Sequence, residues 1–260
     1  MCKLKNSLII AVIHIKRWKR TPRALIVLTG IFLIGYFSAR PYRDIMANLQ
    51  TYMTAYEVSA LVITAQSLYA VILYLYLISD VPIDTDVRNF IITKTGRFGF
   101  LLGEEFYMIF AAAVFMLIPR LGGIIAIYPQ LSFSALWSKT GLSMLQLPET
   151  PEISAVWVST LSYLKGIIYC IVLGNVVIIG NSCFKSNYGF MLGVYLHGLF
   201  WAMTLDGIWG KWSLFSTALV SLDIFSDLIT IAMNLLLAYG MLLVTGAVLK
   251  HDKIIGGRHD

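Results

Sequence analysis

Ala155–Gly180 reads AVWVSTLSYLKGIIYCIVLGNVVIIG, an apolar run interrupted by a single charge, Lys165. A helix needs about 20 mostly apolar residues, at about 1.5 Å each, to cross a hydrocarbon layer of roughly 30 Å. This run is long enough. Five further segments have the same character: Ala24–Ala39, Ser59–Ile78, Phe98–Ile118, Gly189–Thr204 and Leu228–Leu249. The first is short and is completed by Thr21–Arg23 and a snorkelling Arg40. Composition agrees, since 58% of the 260 residues are hydrophobic and 13% charged, against roughly 25% charged in ordinary globular domains. One water-soluble core cannot absorb that much apolar surface, so the predicted fold class is all-α: a polytopic membrane protein with six transmembrane helices over 24–249.

The net charge of +6 does not point to nucleic acid, because the basic residues flank apolar runs and form no stripe with interleaved aromatics. They suit a membrane surface. With both termini on one side, fourteen Lys and Arg fall on that side, in the N-terminal segment, the connection between spans two and three, Lys185 and the tail at 250–260. Six fall opposite: Arg40, Arg43, Arg120, Lys139, Lys165 and Lys211. This bias predicts cytoplasmic termini in a plasma-membrane protein. Gly122–Ser138 (GGIIAIYPQLSFSALWS) is apolar enough for a seventh span, but its glycines, Pro129 and Gln130 favour a bent or re-entrant external segment over 120–138. A second external stretch, Asp206–Asp227, carries Trp209, Trp212, Phe215 and Phe225. It suits either a membrane-dipping helix pair or a simple aromatic anchor.

Residues 1–23 imitate a signal peptide, yet His14 and Lys16 interrupt the apolar run and basic residues stand where a small-residue cleavage site belongs. Leu8, Ile9, Val12 and Ile15 share one helical face beside Trp18, which predicts an amphipathic helix lying in the inner headgroup layer. The three cysteines, Cys2, Cys170 and Cys183, have no metal-ligand spacing and form no disulfide framework. Gly166, Cys170 and Gly174 make a small-residue face on span four that suits a dimer seam or packing within one chain.

Between spans two and three, Pro82 ends one helix and Asp84 or Thr85 caps a short new one that Gly96 ends. Val87, Phe90, Ile91 and Lys94 recur at helical spacing, with Arg88 and Arg97 as a basic rim. Such a surface fits a groove on a soluble partner or lipid alone. No phosphate loop, nucleophile elbow, H-E-x-x-H or dinucleotide fingerprint occurs in the chain. Charges are scarce within the spans, which disfavours an ion-coupled carrier and favours energy from a partner.

Two resemblances follow from particular residues. Gly103-Glu104-Glu105, Phe133-x-x-x-Trp137 and His197-x-x-x-Trp201 resemble the three motifs of intramembrane CAAX-processing and bacteriocin-processing proteases. The family's arginine position holds Ile109, its first histidine position Trp137, and its usual asparagine position Trp201. Glu104, Glu105 and His197 are too few for a metal site, so neither a catalytic residue nor a metal ligand is assigned. The two glutamates suit the positive start of a helix near Arg97 or an intramembrane functional path. His197 suits helix packing through a hydrogen bond to a neighbouring carbonyl or hydroxyl.

The stretch Arg88–Leu102, RNFIITKTGRFGFLL, resembles the cytoplasmic loop of the membrane-spanning subunits of type-2 ABC exporters. Lys94, Thr95, Gly96 and Arg97 carry the match. That resemblance implies a bacterial permease, not itself an enzyme and without a cofactor, paired with a like or unlike permease. It also implies a separate ATP-binding cassette ATPase engaged through Val87, Arg88, Phe90, Ile91, Lys94 and Arg97. The exported substrate would be a lipid, a peptide or a drug. A reporter active only in the cytoplasm and fused after Asp260 should therefore be active, whereas a seventh span would silence it.

Overall fold

The computed structural model describes residues 2–82, 85–144, 154–184, 188–205 and 224–256. The chain is almost entirely helical. Its elements run α1 (Cys2–Trp18), α2 (Pro22–Leu49), β1 (Met53–Thr54), α3 (Ala55–Leu77), α4 (Thr85–Ile127), β2 (Leu131–Ser132), α5 (Lys139–Met144), α6 (Ala155–Cys183), α7 (Tyr188–Leu205) and α8 (Ile224–Gly256). Pro22–Leu49, Ile91–Ile127, Ala155–Cys183 and Leu228–Val248 are long and apolar enough to cross a membrane. Helices α3 and α7 occupy the positions of the second and fifth predicted spans.

Around an apolar core, polar side chains are buried on helices whose outer faces are apolar. On α8 Asn234 and Thr245 are buried while Leu235, Leu236, Leu243 and Val244 are exposed. On α6 Ser159, Ser162, Lys165 and Asn175 are buried while Trp157 and Leu164 face outward. Polar groups inside and large apolar groups outside are what a lipid solvent requires, because lipid cannot satisfy a polar side chain. Helix α6 is central, packing against α3, α4, α7 and α8.

Three register points order the bundle. Gly166 of α6 sits against Met116 of α4, and Gly174 against Met108, so α4 and α6 are antiparallel. Val58 and Val62 of α3 meet Gly123, while Ile78 meets the Met108 level, so α3 also opposes α4. Helix α7 opposes α6, with Gly189 near Val177 and Gly180, and His197 beside Tyr169. The C-terminal part of α8 reaches Asn175 through Thr245 and Leu101 through Gly246. Directions thus alternate along the chain. The end carrying Asp80, Asn181 and the start of α2 is termed proximal, the end carrying Ala55, Ile127 and Ala155 distal. Gly166, Cys170 and Gly174 face Met116, Met108 and the core of this same chain, so the small-residue face is internal packing.

Several boundaries differ from the predicted ones, for reasons tied to proline. Helix α2 continues through Pro41 and α4 through Pro119. A proline within a membrane helix is tolerated where neighbouring groups satisfy the freed carbonyls. The carbonyl that Pro119 frees is that of Phe115, and beside it Arg120 Nη1 donates to Met116 O at 2.7 Å. Gly122–Ile127 therefore belongs to α4, and after it the chain turns at Pro129 into β2, without a seventh crossing helix. Helix α8 runs on to Gly256, so much of the predicted tail is helical. Of Asp206–Asp227, residues 206–223 lie outside the described residues, as do Lys185 and Lys211.

Close backbone approaches hold α1 and α2 to α4. A Cβ on Gly35 would overlap the Pro119 carbonyl, and one on Gly122 would overlap Phe32 O. On α4, Gly99 and Gly103 form a small-residue strip for α1, where a Cβ on Gly103 would sit 2.7 Å from Ile10 Cβ. Gly103→Leu should thus lower stability by about 1–3 kcal/mol, the usual cost of overpacking. Gly240→Ala, whose added Cβ would meet nothing within 4 Å, should raise the melting midpoint of the purified chain slightly, since alanine favours the helix by up to about 1 kcal/mol.

Candidate functional site

The N-terminal helix departs most from its sequence reading. Its apolar residues Leu8, Ile9 and Val12 are about half exposed, and the face toward the protein is Ser7, Ile10, Ala11 and His14. Spacing of three and four residues puts these four on one stripe. Helix α1 packs along α4 instead of lying apart from the bundle. The glycine strip on α4 explains the choice of face, because the missing side chains leave room for Ile10 and let Ser7 reach a backbone carbonyl. Ser7 Oγ donates to Gly99 O at 2.8 Å, and Ile10 covers Gly103.

One turn further, the buried His14 Nε2 lies 2.8 Å from the buried Glu104 Oε2. The His14 ring stacks on Tyr107 with centroids 4.3 Å apart, and Trp18 Nε1 donates to Tyr107 Oη at 3.0 Å. Helix α1 therefore tracks α4 from Gly99 to Phe110, where Trp18 makes its last ring contact. Both members of such a pair lose their water on burial, so each is costly without the other.

Glu105 serves a different interface. Consecutive helical residues point about 100° apart, and Glu105 turns toward α6, where its carboxyl group lies beside Asn175. Asn175 Nδ2 donates to Ile171 O at 3.2 Å, and its Oδ1 lies 3.3 Å from Thr245 Oγ1 of α8. Glu105 Oε1 has no partner among the described residues. The glutamate pair thus ties α4 to α1 on one side and to α6 and α8 on the other, through partners beyond the helix start. His197 is separate from both, its Nδ1 2.7 Å from Tyr169 Oη. Among the described residues no three His, Cys, Asp or Glu side chains converge to hold a metal ion.

The segment between the second and third predicted spans is a helix from Thr85, broken at Gly96 with φ 75° and ψ 161°. That left-handed φ favours glycine, which has no Cβ to clash. Asp84 and the side chains of Val87 and Phe90 lie outside the described residues. Lys94 is exposed, and Arg88 and Arg97 are half-buried. Ile91 does not line an open face. It is buried with Ile10, Phe100 and Leu101, because the docked α1 covers it.

Other polar anchors were not legible from the sequence. Arg23 pairs with Asp80 at 2.6 Å and donates to Ser79 Oγ at 3.0 Å, joining α2 to the end of α3. Asn181 Nδ2 donates to Ser79 O and Val81 O at 2.9 and 2.7 Å. At the distal end the buried Glu57 completes a capping box with Thr54 and accepts from Ser138 Oγ at 2.9 Å. Arg120 and Lys165, read as charges on the external side, are buried within helices. Only the interruption of an apolar run by His14 offered a signal in advance.

The arrangement is that of a helical membrane protein whose interior polar groups join helices to one another. No family model, curated protein or solved structure matches the chain. Sequence and geometry alone bear on its function.

The His14–Glu104 contact is open to a double-mutant cycle read by unfolding in detergent. His14→Ala should cost about 3 kcal/mol by leaving Glu104 without its partner. Adding Glu104→Gln should recover part of that loss, with a coupling of about 0.5–3 kcal/mol. Zero coupling would show that the pair does not hold α1.

Proposed function

We propose that this chain is the membrane-spanning permease subunit of an ATP-driven exporter of an amphipathic substrate, energised by a separate ATPase. In this reading α2, α3, α4, α6, α7 and α8 are six spans, the proximal end is cytoplasmic, and a second permease, identical or related, completes the transporter. The alternating helix directions and the basic residues near the proximal end support that topology. Burial of Arg120 and Lys165 within helices supports it further, because it leaves Arg40, Arg43, Lys139 and Lys211 as the charges on the opposite side.

The observation that carries the proposal is the continuity of Thr85–Thr95 with the longest helix of the bundle through one hinge at Gly96. Force applied to a short surface helix passes into α4 with nothing flexible between them except that residue. Helix α1 is bonded to the same part of α4, at Gly99 and Glu104, so α1 and α4 move as one body. Glu105 and Asn175 extend the linkage to α6, which touches four neighbours. ATP-driven closure of the partner would tilt these helices together. The contact surface is the exposed side around Lys94 with the rim of Arg88 and Arg97, and the buried Ile91 holds the helix in place from behind.

A tagged chain should co-purify with a stoichiometric ATP-binding cassette protein. Lys94→Glu should reduce that recovery about tenfold or more, as loss of an interfacial charge contact does. Failure of the unmodified chain to retain any ATPase would overturn the proposal.

A further inference from the structure

Arg120 is 4% exposed and sits about 10 Å below the distal end of α4, counting seven residues at the helical rise. Its Nη1 is held by Met116 O and its Nη2 by Ser162 Oγ at 3.3 Å, and its guanidinium lies 4.7 Å over the Tyr163 ring. Its Nε has no hydrogen-bond partner, and no carboxylate pairs with it among the described residues. A permanent cation in a lipid-embedded bundle without a counter-charge is costly, and such residues are ordinarily paired.

The same residue lines a cavity of about 290 Å³ between α3, α4 and α6, and it is the one charged group in the lining. Ser159 and Tyr56 also line it, and among the described residues their hydroxyls make no hydrogen bond, which leaves them free to donate. Of the other hydroxyls in the lining, Ser59 and Thr160 donate to carbonyls of their own helices, and Ala55, Leu117, Leu121 and Ile124 make the apolar wall. Leu117 and Leu121 are 46% and 42% exposed, so the cavity opens sideways onto the outer surface of the bundle. That opening lies between α4 and the exposed Thr160 of α6.

We infer that this cavity binds an anionic lipid, with the phosphate of its headgroup on Arg120 and its chains lying across Leu117 and Leu121. The charge complementarity selects an anion, since a guanidinium with donors beside it favours phosphate oxygens. The sideways opening selects an amphiphile over a free ion, because a diffusing anion has no use for a mouth on an apolar surface. The site stands whether or not an ATPase couples to the chain.

The test uses the purified full chain in detergent and compares phosphatidylglycerol, phosphatidylcholine of the same chain length, and inorganic phosphate. Binding is read by native mass spectrometry and by the melting midpoint. Phosphatidylglycerol should bind about tenfold or more tightly than phosphatidylcholine, as expected for charge-assisted hydrogen bonds, and should raise the midpoint. Arg120→Gln should abolish that preference. Thr160→Phe keeps the arginine but obstructs the opening from an exposed position, so it should do the same even where Arg120→Gln fails to fold. Equal binding of the two lipids, equal stabilisation by inorganic phosphate, or an unchanged preference in Thr160→Phe would each overturn the inference.

Discussion

Close approach of backbones to α4 is the constraint on which the rest of the structure depends. Lipid supplies no hydrophobic force between helices, so association rests on van der Waals contact and interhelical hydrogen bonds. Both are short-ranged, and glycines bring the partners within reach. Gly99 and Gly103 admit α1, Gly35 and Gly122 bring α2 to the Pro119 region, and Gly123 receives α3. With a larger residue at Gly103, Ser7 and His14 would stand too far off to bond, and the face of α1 turned to the protein would no longer be specified.

Once the backbones are close, the buried polar groups decide which faces meet. Glu104 and Glu105 are neighbours in sequence but answer to different helices, His14 on α1 and Asn175 on α6. Glu57 acts similarly at the distal end, completing the cap of α3 while fastening the loop at Ser138. Arg23 closes the proximal end through Asp80. In each case an ionisable side chain joins elements far apart in sequence, where an unpaired charge would be expensive. Arg120 differs, since its hydrogen-bond partners among the described residues are neutral and it borders open space.

These attachments give mechanical meaning to the proposed coupling surface. A helix hinged only at Gly96 is a lever on α4, and α1 stiffens the same section by running along it for about three turns. The apolar exterior of α8, with Asn234 and Thr245 turned inward, leaves that helix resting on α6 and touching α4 near Leu101.

The positions of the helices were legible in the sequence because the length of an apolar run and the break after it are local properties. Ala155–Cys183 began where the pattern said it would, and the break at Gly96 fell where a glycine could adopt a left-handed φ. Pro41 and Pro119 misled, because a proline ends a helix in water but can be carried inside one in a packed membrane bundle. Periodicity located an apolar stripe on α1 but assigned it no neighbour, and Leu8, Ile9 and Val12 of that stripe face outward while Ser7 and His14 face the protein. Ile91 was read as open surface for the same reason. The sequence by itself determined that lipid is the solvent and roughly where the long apolar helices lie. Only the tertiary structure decided which polar residue meets which, because a hydrogen bond depends on a few tenths of an ångström between segments up to a hundred residues apart.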